Sequence, residues 1–299
     1  MTTAVASSPS QRDITIGASL LFTEILLVMI MSMMVKWLAP PLSVMTVLLF
    51  RYALCLPLLV IIGFYQRRWQ LLQVNRPKVL VMRSICGVAG LLTWFQAVIY
   101  LDISLATALS QMVPIFIVIL APLMLGERVG PRRFMAVLFG FVGVIILIDP
   151  WQSSINIGLV YGLAAPLIAS LMFLFLRQLG QSDSPVSTSI WYNLAGMLVF
   201  GSLVMGGDYA MPQTQHEWLL LVLIGVMASG QQITMAASHG YAPASTLAPM
   251  HYTSIPMSVL IGIMFFDEVI SISFVIGTVI IIAANYYILI RQRQREGDR

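Results

Sequence analysis

The chain has 299 residues, of which 59% are hydrophobic and 9% charged, against about 25% charged in ordinary globular domains. Water is therefore not its main solvent, and a sizeable soluble domain is excluded, because ten spans of about 20 residues with short connections consume the whole length. The net charge of +4 comes from short basic clusters between apolar runs, a pattern that orients helices in a bilayer and gives no reason to expect a nucleic-acid partner.

In chain order, residues 1–15 read as a disordered cytoplasmic tail. Apolar runs then predict spans at 16–38, 42–65, 79–100, 103–125, 132–149, 157–179, 186–207, 216–238, 243–266 and 270–291, and 292–299 is a basic cytoplasmic tail. The predicted fold class is an all-α integral membrane protein of ten transmembrane helices. With the N-terminus in the cytoplasm, fourteen of the sixteen Lys and Arg residues, Arg83 among them, fall on the inner side. Lys36 and Arg51 are the two exceptions, and the outer loop Gly206–Trp218 has no Lys or Arg. The expected location is the cell inner membrane, multi-pass, with both termini cytoplasmic.

Polar groups at membrane depth are the functional candidates, since each needs a partner or a watered cavity. Glu24 in the first span and Arg51 in the second have similar expected depth and are expected to pair. Glu24 is read either as a proton-coupling or counter-ion carboxylate or as half of a structural ion pair. The third span supplies Trp94, Gln96 and Tyr100, the fourth Gln111 and Pro114, the eighth Gln231 and Gln232, and the ninth His251, Tyr252 and Pro256. Pro114 and Pro256 mark expected helix breaks, because proline frees a backbone carbonyl. Rings and amides together suit an amphipathic solute with hydrogen-bonding ends. Ala136, Gly140 and Gly143, with Gly277 and Ala284, suit close helix packing. Cys55 and Cys86 lie in apolar runs and read as packing residues, and the three histidines are too widely spaced for a metal motif, so neither cofactor nor metal is expected.

Comparing the halves at a shift of 141 residues places Gly17 on Gly158, Lys36 on Arg177, Phe50 on Trp191, Tyr100 on Tyr241, Glu127 on Glu268 and Gly143 on Ala284. Five spans per half is an odd number, so the second copy enters from the opposite side and the repeat is inverted. Gln111 and Tyr252 also coincide under this shift. They are expected to face each other near the bilayer midplane, either lining one substrate site or bonding the two helices together.

The run from Pro114 to Leu125, then Gly126-Glu127-Arg128 and the glycines Gly140 and Gly143, resembles the pattern of the drug/metabolite transporter superfamily, in particular its ten-helix EamA-type exporters. Pro256, Asp267-Glu268, Gly277 and Ala284 resemble it again in the second half, without the Leu-Gly before the glutamate. The resemblance implies two five-helix repeats, 16–149 and 150–291, around a central cavity, with alternating access independent of ATP. The residues agree about ATP: Lys36 follows Val35 and Lys78 follows Pro77, so no Gly-Lys phosphate loop exists. The resemblance makes a secondary exporter of amino acids, aromatic ones included, the leading expectation. The alternatives are an importer of a methylated nucleoside or vitamin, and an intramembrane lipid-modifying enzyme, for which no paired acid/base groups are apparent. The expected partners are a small-molecule substrate, the lipid bilayer and, for coupling, a proton; the oligomeric state is left open, a monomer included.

Overall fold

The computed structural model describes residues 11–39, 41–67, 70, 72–125, 131–150, 156–180, 182–207, 209–241 and 247–297. Within these the elements are α1 Gln11–Leu38, α2 Val44–Arg67, α3 Pro77–Tyr100, α4 Ile103–Ser110, α5 Val113–Leu125, α6 Pro131–Ile148, α7 Ile157–Leu179, α8 Pro185–Gly206, α9 Gln215–Tyr241, a 3-10 turn Ala248–Thr253, α10 Ser254–Phe266 and α11 Ile272–Gly297. Lipid offers backbone N–H and C=O groups no partners, so apolar runs of this length close their hydrogen bonds internally as helices. Among the described residues nine stretches are long and apolar enough to cross a membrane, and Phe134–Ile148 is a shorter tenth. Pro77 and Pro185 open α3 and α8 in the first turn, where a missing N–H costs no bond. Asn156 caps α7 by accepting from the Leu159 N–H.

Helix packing carries the two-fold relationship of the halves. α1 packs on α9, and α3, its counterpart's partner, packs on α7; α2 meets α8, α6 meets α11, and α4 meets α10. Among the lesser contacts, α2 on α9 mirrors α3 on α8, and α4–α5 on α7 mirrors the 3-10 turn and α10 on α1, whereas α1 on α3 and α5 on α6 lack a comparable counterpart. Exchanging the first five spans with the last five maps the major contacts and these mirrored lesser ones onto one another, as a pseudo-two-fold axis in the membrane plane requires. At the α6–α11 seam the expected small residues do the packing. A Cβ on Gly277 would fall under 3 Å from the Gly143 carbonyl and the Leu147 backbone, so only glycine lets these helices approach.

Two sequence expectations change here. The break in the fourth span, expected at Pro114, falls just before it, between α4 and α5 at Gln111–Met112, and Pro114 itself lies within α5. Arg83, grouped with the basic residues of the inner side, lies within α3 and is buried among helices. Glu127 and Arg128 lie outside the described residues.

Candidate functional site

The interruption of the fourth span is a single tightened turn: the N–H groups of Gln111 and Met112 bond three residues back, to Ala108 and Leu109. Pro114 follows as the second residue of α5, where it cannot return a bond to the carbonyl four residues earlier. The ninth span repeats the device. Its 3-10 turn passes into α10 at Ser254, and Pro256 is again in the first turn after the change. Both prolines thus stand just after the breaks, in the first turn of the second piece of each span.

The two breaks meet. Gln111 Nε2 donates to Ser254 Oγ at 3.0 Å, and the Gln111 carbonyl accepts from Asn285 Nδ2 of α11 at 2.6 Å. The Tyr252 side chain stands beside Asn285, so Gln111, bonded by Asn285, and Tyr252, matched by the repeat, both border this one amide. Asn285 Oδ1 is buried in this network with no hydrogen-bond partner. His251 is exposed, and its carbonyl accepts from Ser254 Oγ at 2.7 Å. Trp94 packs against three clusters: one around Tyr52 and Tyr192, one with Met112 and Ile255, and one with Leu21, Met29 and Leu247. Gln96 and Tyr100 stand apart, lining a cavity of about 230 Å³ with Ser43, Met45 and Tyr209 near the connection of the first two spans. A larger groove of about 440 Å³ runs between α3 and α8 and is apolar. The cavity expected at the centre is neither of these, for Gln111 and Tyr252 line neither.

The expected Glu24–Arg51 ion pair is not formed. Glu24 accepts from Gln231 Nε2 at 2.8 Å, with Gln232 half-buried next in sequence. Arg51 Nη1 reaches Asn193 Oδ1 at 3.4 Å. The cause is helix placement: α1 lies along α9 and α2 along α8, so equal depth does not bring the two charges to one seam.

The ion pair present among the described residues is Lys36–Glu268, with Nζ 3.7 Å from Oε1. Glu268 also accepts from the Ile103 N–H at 2.5 Å, the Ser104 N–H at 3.2 Å and the Ser104 hydroxyl at 2.6 Å. A carboxylate from the second half therefore caps α4 of the first, where the helix dipole favours an anion. Asp102, the residue preceding α4, makes no side-chain cap. Its carboxyl is pushed up from the ordinary range, first by desolvation and then by Glu268, with Lys36 opposing. Lys36 Nζ also donates to the Leu101 carbonyl at 2.6 Å and lies 5.0 Å from the centre of the Phe266 ring. Sequence reasoning missed the Lys36–Glu268 contact, Ser254 and Asn285. Asn285 was reachable by the rule that singled out Gln111, an amide inside an apolar run.

Two half-chains exchanged by a pseudo-axis, each with an interrupted helix whose polar ends meet inside the membrane, define a multi-pass transporter of the inverted-repeat class. The chain belongs to the EamA-like transporter family, which it matches over residues 15–149 and again over 156–290. It is 33% identical over 190 residues to a riboflavin transporter of Vibrio cholerae serotype O1, an overlap of 63% of each chain. It is 27% identical over 206 residues to the pseudopaline exporter CntI of Pseudomonas aeruginosa, covering 69% of this chain and 72% of that one. One solved crystal structure shares the fold, with a TM-score of 0.64 at 16% identity over 94% of this chain and 98% of the other.

Proposed function

We propose that this chain is a secondary transporter that moves a small amphipathic metabolite across the inner membrane by alternating access, with both termini cytoplasmic. The observation that carries the reading is the junction of the two interrupted helices, where Gln111 bonds Ser254 and Asn285 bonds Gln111. A break at matching positions in both halves gathers amide and hydroxyl groups at one junction, where a solute can replace their partners. The orphan Asn285 Oδ1 supplies an acceptor for a solute N–H or O–H. Trp94, shared by three packing clusters, supplies an aromatic face for the apolar body. The repeats take 16–149 and 150–291, and each half contributes one broken helix. Glu24, tied to Gln231 across the α1–α9 seam, is the candidate proton site.

The relatives favour the vitamin alternative over amino-acid export. One relative is named for riboflavin, whose fused ring and hydroxylated tail fit the ring-plus-amide pattern, and CntI is named for pseudopaline. Direction is part of the test. Purified protein in liposomes, loaded or bathed with riboflavin, its phosphate ester, phenylalanine and a methylated nucleoside, should move at least one of them in a gradient-dependent manner. Gln111→Ala should weaken apparent affinity for that solute. Failure of every solute in both directions by a folded protein counts against the reading.

A further inference from the structure

Away from the Gln111–Asn285 network, two arginines are drawn into the bundle. Arg51 of α2 and Arg83 of α3 are only 4% and 5% exposed. Their guanidinium groups converge on one ring: Arg83 Cζ is 4.0 Å from the Tyr192 ring centre and Arg51 Cζ is 6.0 Å from it, with Tyr52 a further 4.7 Å neighbour of Arg51. The two tyrosines are locked together, their hydroxyls 2.8 Å apart and their rings edge to face at 5.4 Å. Gly87 and Gly196 admit these rings, since a Cβ at either would fall under 3 Å from them.

Among the described residues the cluster has no anion of its own. Among the described residues no carboxylate lies within 4 Å of either guanidinium, the one such pair being Lys36–Glu268. Arg51 Nε, Arg83 Nε and Arg83 Nη1 are buried without a hydrogen-bond acceptor. Arg51 Nη1 holds Asn193 only at 3.4 Å. Tyrosine faces attract cations, yet two like charges out of water need more than two rings to offset their desolvation. Spans retain such unbalanced charge where it serves a ligand or a pathway.

We propose that Arg51 and Arg83 form an oxyanion site that takes one carboxylate or phosphate group of the transported solute. Three N–H donors lack acceptors, and Arg is suited to planar oxyanions. Trp94, about 16 Å further along α3 than Arg83, packs on the large core cluster that includes Tyr52 and Tyr192 and on that of Met112 and Ile255. A solute laid on Trp94 would have to extend about 16 Å along α3 for its oxyanion to reach Arg83. The assignment narrows the cargo of the preceding reading to its anionic members, and it rests on that reading for the carrier of the charge, though not for oxyanion binding itself.

The test uses the full chain in neutral phosphatidylcholine nanodiscs, with unfolding followed by intrinsic fluorescence against inorganic phosphate and against sodium chloride of equal ionic strength. A saturable rise in Tm with phosphate alone is expected, and its midpoint should move at least tenfold in Arg83→Gln and in Arg51→Gln, less in Arg83→Lys. Absence of that rise in the unsubstituted protein overturns the site, whatever the variants do. An equal response in folded glutamine variants overturns it as well. Adding phosphatidylglycerol separates the sources. If the lipid abolishes the phosphate response, its phosphodiester is the resident oxyanion and the solute assignment falls; if the response persists, the solute assignment stands. A phosphate response in protein that moves no solute in liposomes would remove the transport reading and leave the oxyanion site in place.

Discussion

Lys36 and Glu268 come from opposite halves of the chain and face each other at 3.7 Å, with the Glu268 carboxylate seated on the first N–H groups of α4. This single side chain ties the end of α1, the start of the broken fourth span and the connection between the last two spans. Under the alternating access proposed above, opening of the bundle on this side would break that contact. Glu268→Gln should speed release on this face and lower Tm, because the amide loses the ion pair and part of the cap, the cap alone being worth about 1 kcal/mol. Lys36→Ala with Glu268→Ala should cost less than the sum of the single changes, by the coupling of the pair. Strict additivity in Tm would show that the two residues do not act together.

Asp102 gives the opposite expectation beside the same pair. Its carboxyl is raised by desolvation and by Glu268. A raised folded-state carboxyl favours the fold below the ordinary carboxylate range, and that contribution is lost as pH rises through the raised value. Asp102→Asn should therefore gain stability relative to the parent as pH rises toward neutrality. Thermal unfolding at pH 4 and pH 7 checks the sign, and a variant that loses stability at neutral pH would contradict it.

Asn285 holds the Gln111 carbonyl at 2.6 Å and leaves its own Oδ1 free. Asn285→Ala should cost about 1 kcal/mol of stability, the scale of an interhelical hydrogen bond in a membrane, and should weaken solute affinity by about tenfold. Asn285→Asp keeps an acceptor at the free position and should retain more affinity than Ala. Matched losses of Tm with unchanged affinity would assign Asn285 and Gln111 to holding the helices together only.

Glu24 and Gln231 separate coupling from structure. Glu24→Gln keeps a hydrogen-bonding group opposite Gln231 and removes only the titratable proton. Proton-driven accumulation should fall to the level of an uncoupled carrier while exchange of labelled for unlabelled solute persists. Loss of both together, with Tm lowered, would make Glu24 a structural partner of Gln231.

The α6–α11 seam sets a control for these readings. Gly277→Val places a branched side chain against the backbone of Gly143 and Leu147 and should cost at least the 1–3 kcal/mol typical of overpacking. Gly206→Ala at the end of α8 meets nothing within 4 Å and should leave Tm unchanged. Calorimetric or fluorescence melts of the two variants check the contrast.

The sequence by itself determined the helical spans, their number and the inverted relation of the halves, because hydrocarbon enforces long apolar runs and charge is scarce enough for a 141-residue shift to register. It also put Gln111 and Tyr252 at matching positions beside the two prolines. It could not determine partners. Depth follows from counting residues, but which helix lies alongside which is set by packing between segments far apart in sequence, so Glu24 found Gln231 on α9 while Arg51 turned to Asn193 on α8. The cap of α4 by Glu268 spans 165 residues of chain, and the meeting of Arg51 with Arg83 at the Tyr192 ring joins three helices. Such contacts exist only once the halves close on each other, since no local pattern encodes the azimuth of a side chain around a helix that is apolar on every face.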